Sequence, residues 1–345
     1  MATLKDISKA TGFSITTVSR ALNDYDDVNE ETKQLINSTA QKLNYSPNIN
    51  AQNLVMQKSK TIGIIVSSLT REGAKNNLVF ETLCGVYDTL EALDYEFILL
   101  STSSTKQKNQ TFGQICSQKQ LAGAIIQGLK IGDPYLEEAK NSSIPCILID
   151  IPVTGETMNY VTSNQQDSVK SAIKYLHRLS HRCIAYVNGT RDAHVSNERK
   201  QGYEQALIEI GLEAKPEYII QGDFDEDIAK KNITPFLINH SEVTAIVCAS
   251  DVMALGVMQA AKSLGIKVPD QLSIIGFDNI LLTKYITPSL TTIAQSPYEM
   301  ATAAAKLLID LIEAPDSKKM PKIIQNELII RESTGPAFTH AMKKS

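Results

Sequence analysis

The stretch TLKDISKATGFSITTVSRAL, residues 3–22, decides the first part of the fold. Leu4, Ile7 and Ala10 recur at helical spacing, and Thr3 followed by Asp6 makes a helix start. Gly12 interrupts that run, supplying the positive φ that a tight turn needs. Ser14 can cap a second helix, Ile15 to Leu22, with Val18 and Leu22 on its inner face. Its other face carries Thr16, Thr17, Ser19, Arg20 and Asn23. A small residue (Ser8), a glycine four later and a valine six after that is the helix-turn-helix spacing. The small residue lets two helices approach, the glycine makes the turn and Val18 plugs the shared core. The spacing is loose; it gains weight from lying at the N-terminus and from the polar run TTVSR on the second helix. Such a face fits the major groove, where Arg20 can bond bidentately to guanine and Ile15 and Thr16 can touch bases. Asn29 caps a third helix running to Leu43, with Glu30 and Glu31 in its first turn favouring the helix dipole. Leu35, Ile36, Ala40 and Leu43 are its predicted apolar stripe.

From residue 61 the texture changes. Strand-sized apolar runs at 62–66, 97–100, 124–126, 146–149, 184–187, 245–248 and 272–275 alternate with amphipathic segments such as 78–93, 168–179, 199–210 and 253–264. Alternation of this kind predicts an α/β body of two parallel-sheet subdomains joined by right-handed crossovers, with a ligand crevice between strand ends. Pro47 breaks any helix before the linker, and 48–57 is too short to be a stable helix alone in water.

Composition limits what such a chain can do. Its 345 residues carry 43% hydrophobic side chains, enough for folded domains, and a net charge of −4, which argues against a chain that coats nucleic acid indiscriminately. Five scattered cysteines show no metal or redox spacing, no stretch reaches membrane length, and the polar N-terminus offers no secretory signal. A cytoplasmic protein is expected. The sequence has no GxGxxG after a strand, no GK[ST] phosphate loop and no HExxH. His177 and His181, four apart, are expected at a solvated helix end. No cofactor, metal or enzymatic activity is expected.

The residues Thr3-Leu-Lys-Asp-Ile7, Thr17-Val-Ser-Arg20, Val28-Asn-Glu-Glu-Thr32 and Leu43-Asn-Tyr-Ser-Pro-Asn48 resemble the lac repressor/gal repressor family of bacterial transcription regulators. The resemblance runs from Thr3 to about Glu332, with head, linker and body motifs in the family's order. It implies a DNA-binding head over 1–46, a hinge helix within 47–60 and a periplasmic-binding-protein-like body over 61–335. The body divides into one subdomain of about 61–160 with 293–320 and another of about 161–292 with 321–335. A tail, 336–345, follows; Gly335 and Pro336 look frayed, and no heptad repeat predicts a tail coiled coil. The DNA contacts so implied are Thr3, Ser14, Ile15, Thr16, Thr17, Ser19, Arg20, Asn23, Tyr45, Asn48, Ala51 and Leu54. Leu54 matches a leucine that wedges into the central base step; Gln52 stands where the family most often has arginine. The effector contacts so implied are Arg199, Asp278, Phe224, Gln295, Asp150 and Ser250, with Asp251 read as a helix cap. The expected partners are double-stranded operator DNA, a second copy in a homodimer and a small effector, a sugar or sugar phosphate. A non-sugar metabolite or a phosphorylated carrier protein is the alternative effector. A sugar-binding carrier or a sugar-metabolising enzyme is disfavoured by the head and by the missing nucleophile.

Overall fold

Thr3 opens the first helix through a reciprocal cap. Its hydroxyl accepts from the Asp6 N–H at 3.3 Å, and the Asp6 carboxylate accepts from the Thr3 N–H at 2.9 Å. The computed structural model describes residues 2–22, 25, 27–43, 45, 59–67, 77–315 and 319–337. They fall into two units, Met1–Lys60 and Thr61–Ser345.

The head holds α1 (Leu4–Thr11), α2 (Ile15–Leu22) and α3 (Glu30–Lys42). Gly12 ends α1 with φ at 76°, and the Ser8 hydroxyl donates to the Phe13 carbonyl at 2.6 Å, fastening the turn. Ser8 therefore does more than leave room. Ile7, Val18 and Ile36 are fully buried, each stabilising this small core by about 1.5–3 kcal/mol. Two expected stripe members differ. Leu35 and Leu43 are exposed, and the row turned inward is Lys33, Ile36 and Ala40. A core this narrow accepts one i, i+3, i+7 row, and the apolar Lys33 stem completes it. Ala10 is likewise exposed.

In the body the order is β1 (Thr61–Ser67), α4 (Leu78–Ala92), β2 (Glu96–Thr102), α5 (Ser104–Asn109), α6 (Phe112–Gln118), β3 (Gly123–Gln127), α7 (Pro134–Lys140), β4 (Cys146–Ile149) and β5 (Met158–Ser163). There follow α8 (Gln165–Arg178), β6 (Ile184–Asn188), α9 (His194–Glu209), β7 (Ile219–Gln221), α10 (Glu226–Asn239), β8 (Ala245–Cys248), α11 (Asp251–Ser263) and β9 (Ser273–Asp278). The last elements are β10 (Thr291–Ala294), α12 (Pro297–Glu313), β11 (Lys322–Ile324) and β12 (Glu327–Ile329). They build two six-stranded sheets, ordered β11-β5-β4-β3-β1-β2 and β12-β10-β9-β8-β6-β7. All described pairings are parallel except β10 with β12.

Period-2 alternation explains the continuous apolar strands. Ile62, Ile64 and Val66 of β1 face α4 and α12, while Ile65 faces the other layer with Phe112 and Tyr135. Strands covered on both faces have no solvent side to leave polar.

The subdomain limits shift from those expected. The first sheet keeps β5 to Ser163 and reclaims β11, whereas the second keeps β10 to Ala294 and takes only β12 of the last two strands. Hydrogen bonding, rather than chain position, sets these limits. The chain thus passes between sheets after β5, after β10 and after β11. Two of these passages are laced together: the Asn164 N–H donates to the Ile324 carbonyl at 3.1 Å, and the Asn326 N–H donates to Asn164 Oδ1 at 2.8 Å. Gly335 is not frayed. Its N–H donates to Ser273 Oγ at 3.0 Å, and its carbonyl accepts from the Ser273 hydroxyl and pairs with His181 Nε2 at 3.0 Å. His181 is accordingly buried against Thr244 and Gly335, not solvated.

Candidate functional site

On the head, the outward face of α2 begins at Ser14, whose Oγ accepts from the Thr17 N–H at 3.0 Å and caps the helix. Ile15 is 46% exposed and Thr16 stands beside it in solvent. Arg20 does not point freely outward. Its Nε donates to Asp27 Oδ1 at 3.0 Å, its Nη2 lies 2.6 Å from Asp27 Oδ2, and its guanidinium covers the Tyr25 ring at 4.8 Å. Thr3 is occupied by its cap, and Tyr45 packs against the head core. Burial pushes the Tyr45 hydroxyl up in pKa. Asn23, Asn48, Ala51 and Leu54, with the hinge helix expected over 48–57, lie outside the described residues.

In the body, the carboxyl ends of both sheets open onto one cavity of about 470 Å³. Arg199, Asp278, Phe224, Gln295, Asp150 and Ser250 all line it. Asp150 follows β4 in the first sheet; Asp278 ends β9 and Gln295 follows β10 in the second. Arg199 comes from α9, held at the centre. Its Nε donates to Gln165 Oε1 at 2.7 Å, its Nη1 donates to the Ala249 carbonyl at 2.5 Å, and its guanidinium stacks 3.6 Å from the Phe277 ring centroid. The Arg199–Asp278 approach is 3.9 Å, too long for a hydrogen bond, so their attraction is Coulombic. Gln295 donates to Asp278 Oδ1. Thr162 and Gln165 donate to Asp150 at 2.9 and 3.2 Å.

Burial disfavours the ionised carboxylates and raises Asp278 to about 6, with Arg199 opposing the rise. Burial raises Asp150 in the same way, again against Arg199. Backbone strain gathers at the same rim: Asp150, Phe224 and Asp278 have φ of 61°, 59° and 114°. Non-glycine residues in this region cost about 1–3 kcal/mol each, and such cost collects where side chains must be aimed. Phe224 lies over Gly189, where any side chain would strike its ring.

The cap expected of Asp251 falls to Ser250, which also lines the cavity. Ser250 is the N-cap of α11, accepting from the Met253 N–H at 3.3 Å. The Asp251 carboxylate instead accepts from Thr292 Oγ1 at 2.6 Å and from the Ile280 N–H at 2.9 Å, pinning the turn behind Asp278. Burial, then the neighbouring Asp278, raises its pKa well above the usual range.

Sequence reasoning missed Gln165, which joins Asp150 and Arg199 across the two sheets. It also missed Ser67, Gln127 and His194 on the cavity wall. Ser67 and Gln127 are the last residues of β1 and β3, and a polar residue closing an apolar strand was the available signal. Ser67 Oγ, Gln127 Oε1 and His194 Nε2 are buried without a hydrogen-bond partner. At the rim, Lys130 Nζ meets Asp192 Oδ2 at 2.7 Å, and the Ile131 N–H donates to the Asp192 carbonyl at 2.7 Å, tying one subdomain to the other. Among the described residues no cluster of three metal-ligating side chains forms, and no helix is long and apolar enough to cross a membrane.

A helix-turn-helix head followed by a cleft between two such subdomains defines a DNA-binding transcription regulator switched by a small molecule. The family models agree: bacterial regulatory proteins of the lacI family match residues 3–48, and the periplasmic binding protein-like domain matches residues 173–334. The probable repressor ExuR of Bacillus subtilis is 32% identical over 96% of this chain and 98% of its own. The repressor CytR of Escherichia coli is 33% identical over 96% of both. The chain belongs to the LacI family. The lac repressor dimer bound to operator and the anti-inducer ONPF shares its fold, with a TM-score of 0.83, 23% identity and coverage of 97% of this chain and 99% of that one.

Proposed function

We infer that this chain acts in the cytoplasm as a homodimeric repressor of carbohydrate metabolism genes, bound to a near-palindromic operator and controlled by a small polyhydroxylated effector in the body cleft. The observation that carries the reading is the convergence of Asp150 from one sheet with Arg199, Phe224, Asp278 and Gln295 from the other around one cavity. A molecule gripped by both sheets favours one closure angle, and only that difference in affinity can move the DNA-binding equilibrium. Carboxylates accept from sugar hydroxyls, guanidinium donates to them, and Phe224 offers an apolar ring face. In the head, Ile15, Thr16 and Arg20 read base edges while Thr3, Ser14, Thr17 and Ser19 position α2 on the backbone. Asn23, Tyr45 and Asn48 belong to the same contact set, and Ala51 and Leu54 extend it into the minor groove. One head reads one half-site, so two copies are needed.

The test is operator affinity of the full chain, with and without each member of a metabolite panel that raises its melting temperature. A compound that both stabilises the protein and shifts operator affinity supports the reading. Sedimentation of a monomer that still binds one half-site tightly refutes the dimer.

A further inference from the structure

Among the described residues, the charges lining the cleft do not balance. Asp150, Asp223, Asp225 and Asp278 line it against Lys130 and Arg199. Lys130 is already joined to Asp192, itself an acid, and the charge of Arg199 already faces Asp278 at 3.9 Å while its Nε and Nη1 donate to Gln165 and the Ala249 carbonyl. Burial pushes His194 down in pKa, so it adds no charge near neutrality. The first turn of α9, without a side-chain cap, brings about half a positive charge, which leaves the acids in excess. An entering anion therefore meets an excess of carboxyl groups in a partly dry space and finds, among the described residues, no lining cation without an acid beside it, so its desolvation is poorly compensated.

Hydrogen-bonding capacity points the same way for the added anionic group itself. Ionised carboxylates only accept, and a phosphate dianion or a uronate carboxylate also only accepts. A hydroxyl both donates and accepts. It can donate to Asp150, Asp278 or the unpartnered Gln127 Oε1 and accept from the unpartnered Ser67 hydroxyl. Ser67 is 7% exposed and lines the cavity, so a hydroxyl entering there can answer its orphaned oxygen.

We propose that the cleft selects an uncharged polyhydroxylated effector, a neutral sugar or nucleoside, and rejects the phosphorylated or carboxylated form of the same molecule. The proposal rests on the cleft being the effector site. It narrows the sugar or sugar phosphate expected from sequence to the first of the two.

Two experiments on the full chain decide it. Glucose, galactose, ribose and uridine are each set against their phosphates, and the two hexoses also against their uronates, in thermal melts and operator binding. Every uncharged member that binds should do so at least about tenfold more tightly than its charged counterparts. A uronate or phosphate that binds more tightly than its neutral parent overturns the proposal. In parallel, the small molecules of a bacterial extract are separated on an anion exchanger. Melting-point and operator shifts are expected from the unretained fraction; shifts from the retained fraction alone overturn the proposal. If neither fraction moves the melt or the operator affinity, the effector reading itself fails, and this inference falls with it.

Discussion

Asp27→Asn should strengthen operator binding, because Asp27 occupies the atoms of Arg20 that would face guanine. Its two oxygens accept from Nε and Nη2 at 3.0 and 2.6 Å, the same two-pronged geometry that guanine O6 and N7 offer. Arg20 can read a base only after leaving that carboxylate. The side chains are 43% and 56% exposed, so water and salt screen the pair and its net worth is about 0.2–1 kcal/mol. Removing the competitor returns that amount to the complex, a gain of roughly 1.5- to 5-fold in affinity. The gain should be larger on the operator than on random DNA, since a base contact carries sequence preference and a phosphate contact does not. Fluorescence anisotropy on both DNAs at fixed salt measures it. Equal gains on both would show that Asp27 acts only by repelling phosphates. An unchanged or weakened operator complex would show that Arg20 keeps the Asp27 bond while bound, and the guanine assignment would fail.

Arg20→Ala should lower operator affinity by about 1–3 kcal/mol and relax preference at one base pair per half-site, read from a panel of single-base operator variants. Asp278→Asn should leave effector-free operator affinity within about twofold while removing the response to any effector found in the panel, as titrations of the two proteins would reveal. The same substitution should change the pH profile. Folding raises Asp278 from 3.8 to about 6, so its contribution to stability is fully present below about 4 and is lost as pH rises through about 6. The wild-type body should therefore lose more melting temperature across that window than the Asn variant. Gly276→Ala sets a methyl group onto Asp251 Oδ1 and 3.0 Å from Leu290 Cδ2, costing about 1–3 kcal/mol, visible as a lower melting temperature with head helicity unaltered.

How legible these features were depended on where each signal resides. Strands buried on both faces, such as 62–66 and 146–149, announce themselves because every position is apolar. The short edges do not: β11 and β12 are three residues each with none fully buried, and their place follows only from pairing with β5 and β10. In the head, capping residues could be read from local chemistry, but which apolar row of α3 faces inward depends on how the other helices lie. That is why Leu35 and Leu43 were misplaced. The cleft acids were readable as strand-end residues within family motifs. Gln165 was not, for its amide matters only through Asp150, fifteen residues before it, and Arg199, thirty-four after. The passing of the helix cap from Asp251 to Ser250 has the same origin: either can cap a helix, and only the distant Thr292 and Ile280 claim the carboxylate.

The late return of the chain to its first sheet bears on how the molecule is made. Met300, Ala301, Ala304, Ala305 and Leu308 of α12 complete the layer over Ile62, Ile64 and Ile125, and β11 adds the outer strand beside β5. A ribosome that has delivered β1 to β5 has therefore produced a sheet with one apolar face covered only in part, by α4. That face waits through the synthesis of β6 to β10 before residues 297–313 arrive to complete its cover. The second sheet is built largely from consecutive chain and can close sooner, lacking only β12. The half made first thus keeps its apolar layer incomplete the longest, and during that interval it is the part of the chain most open to chaperone binding and to mispairing with its neighbours.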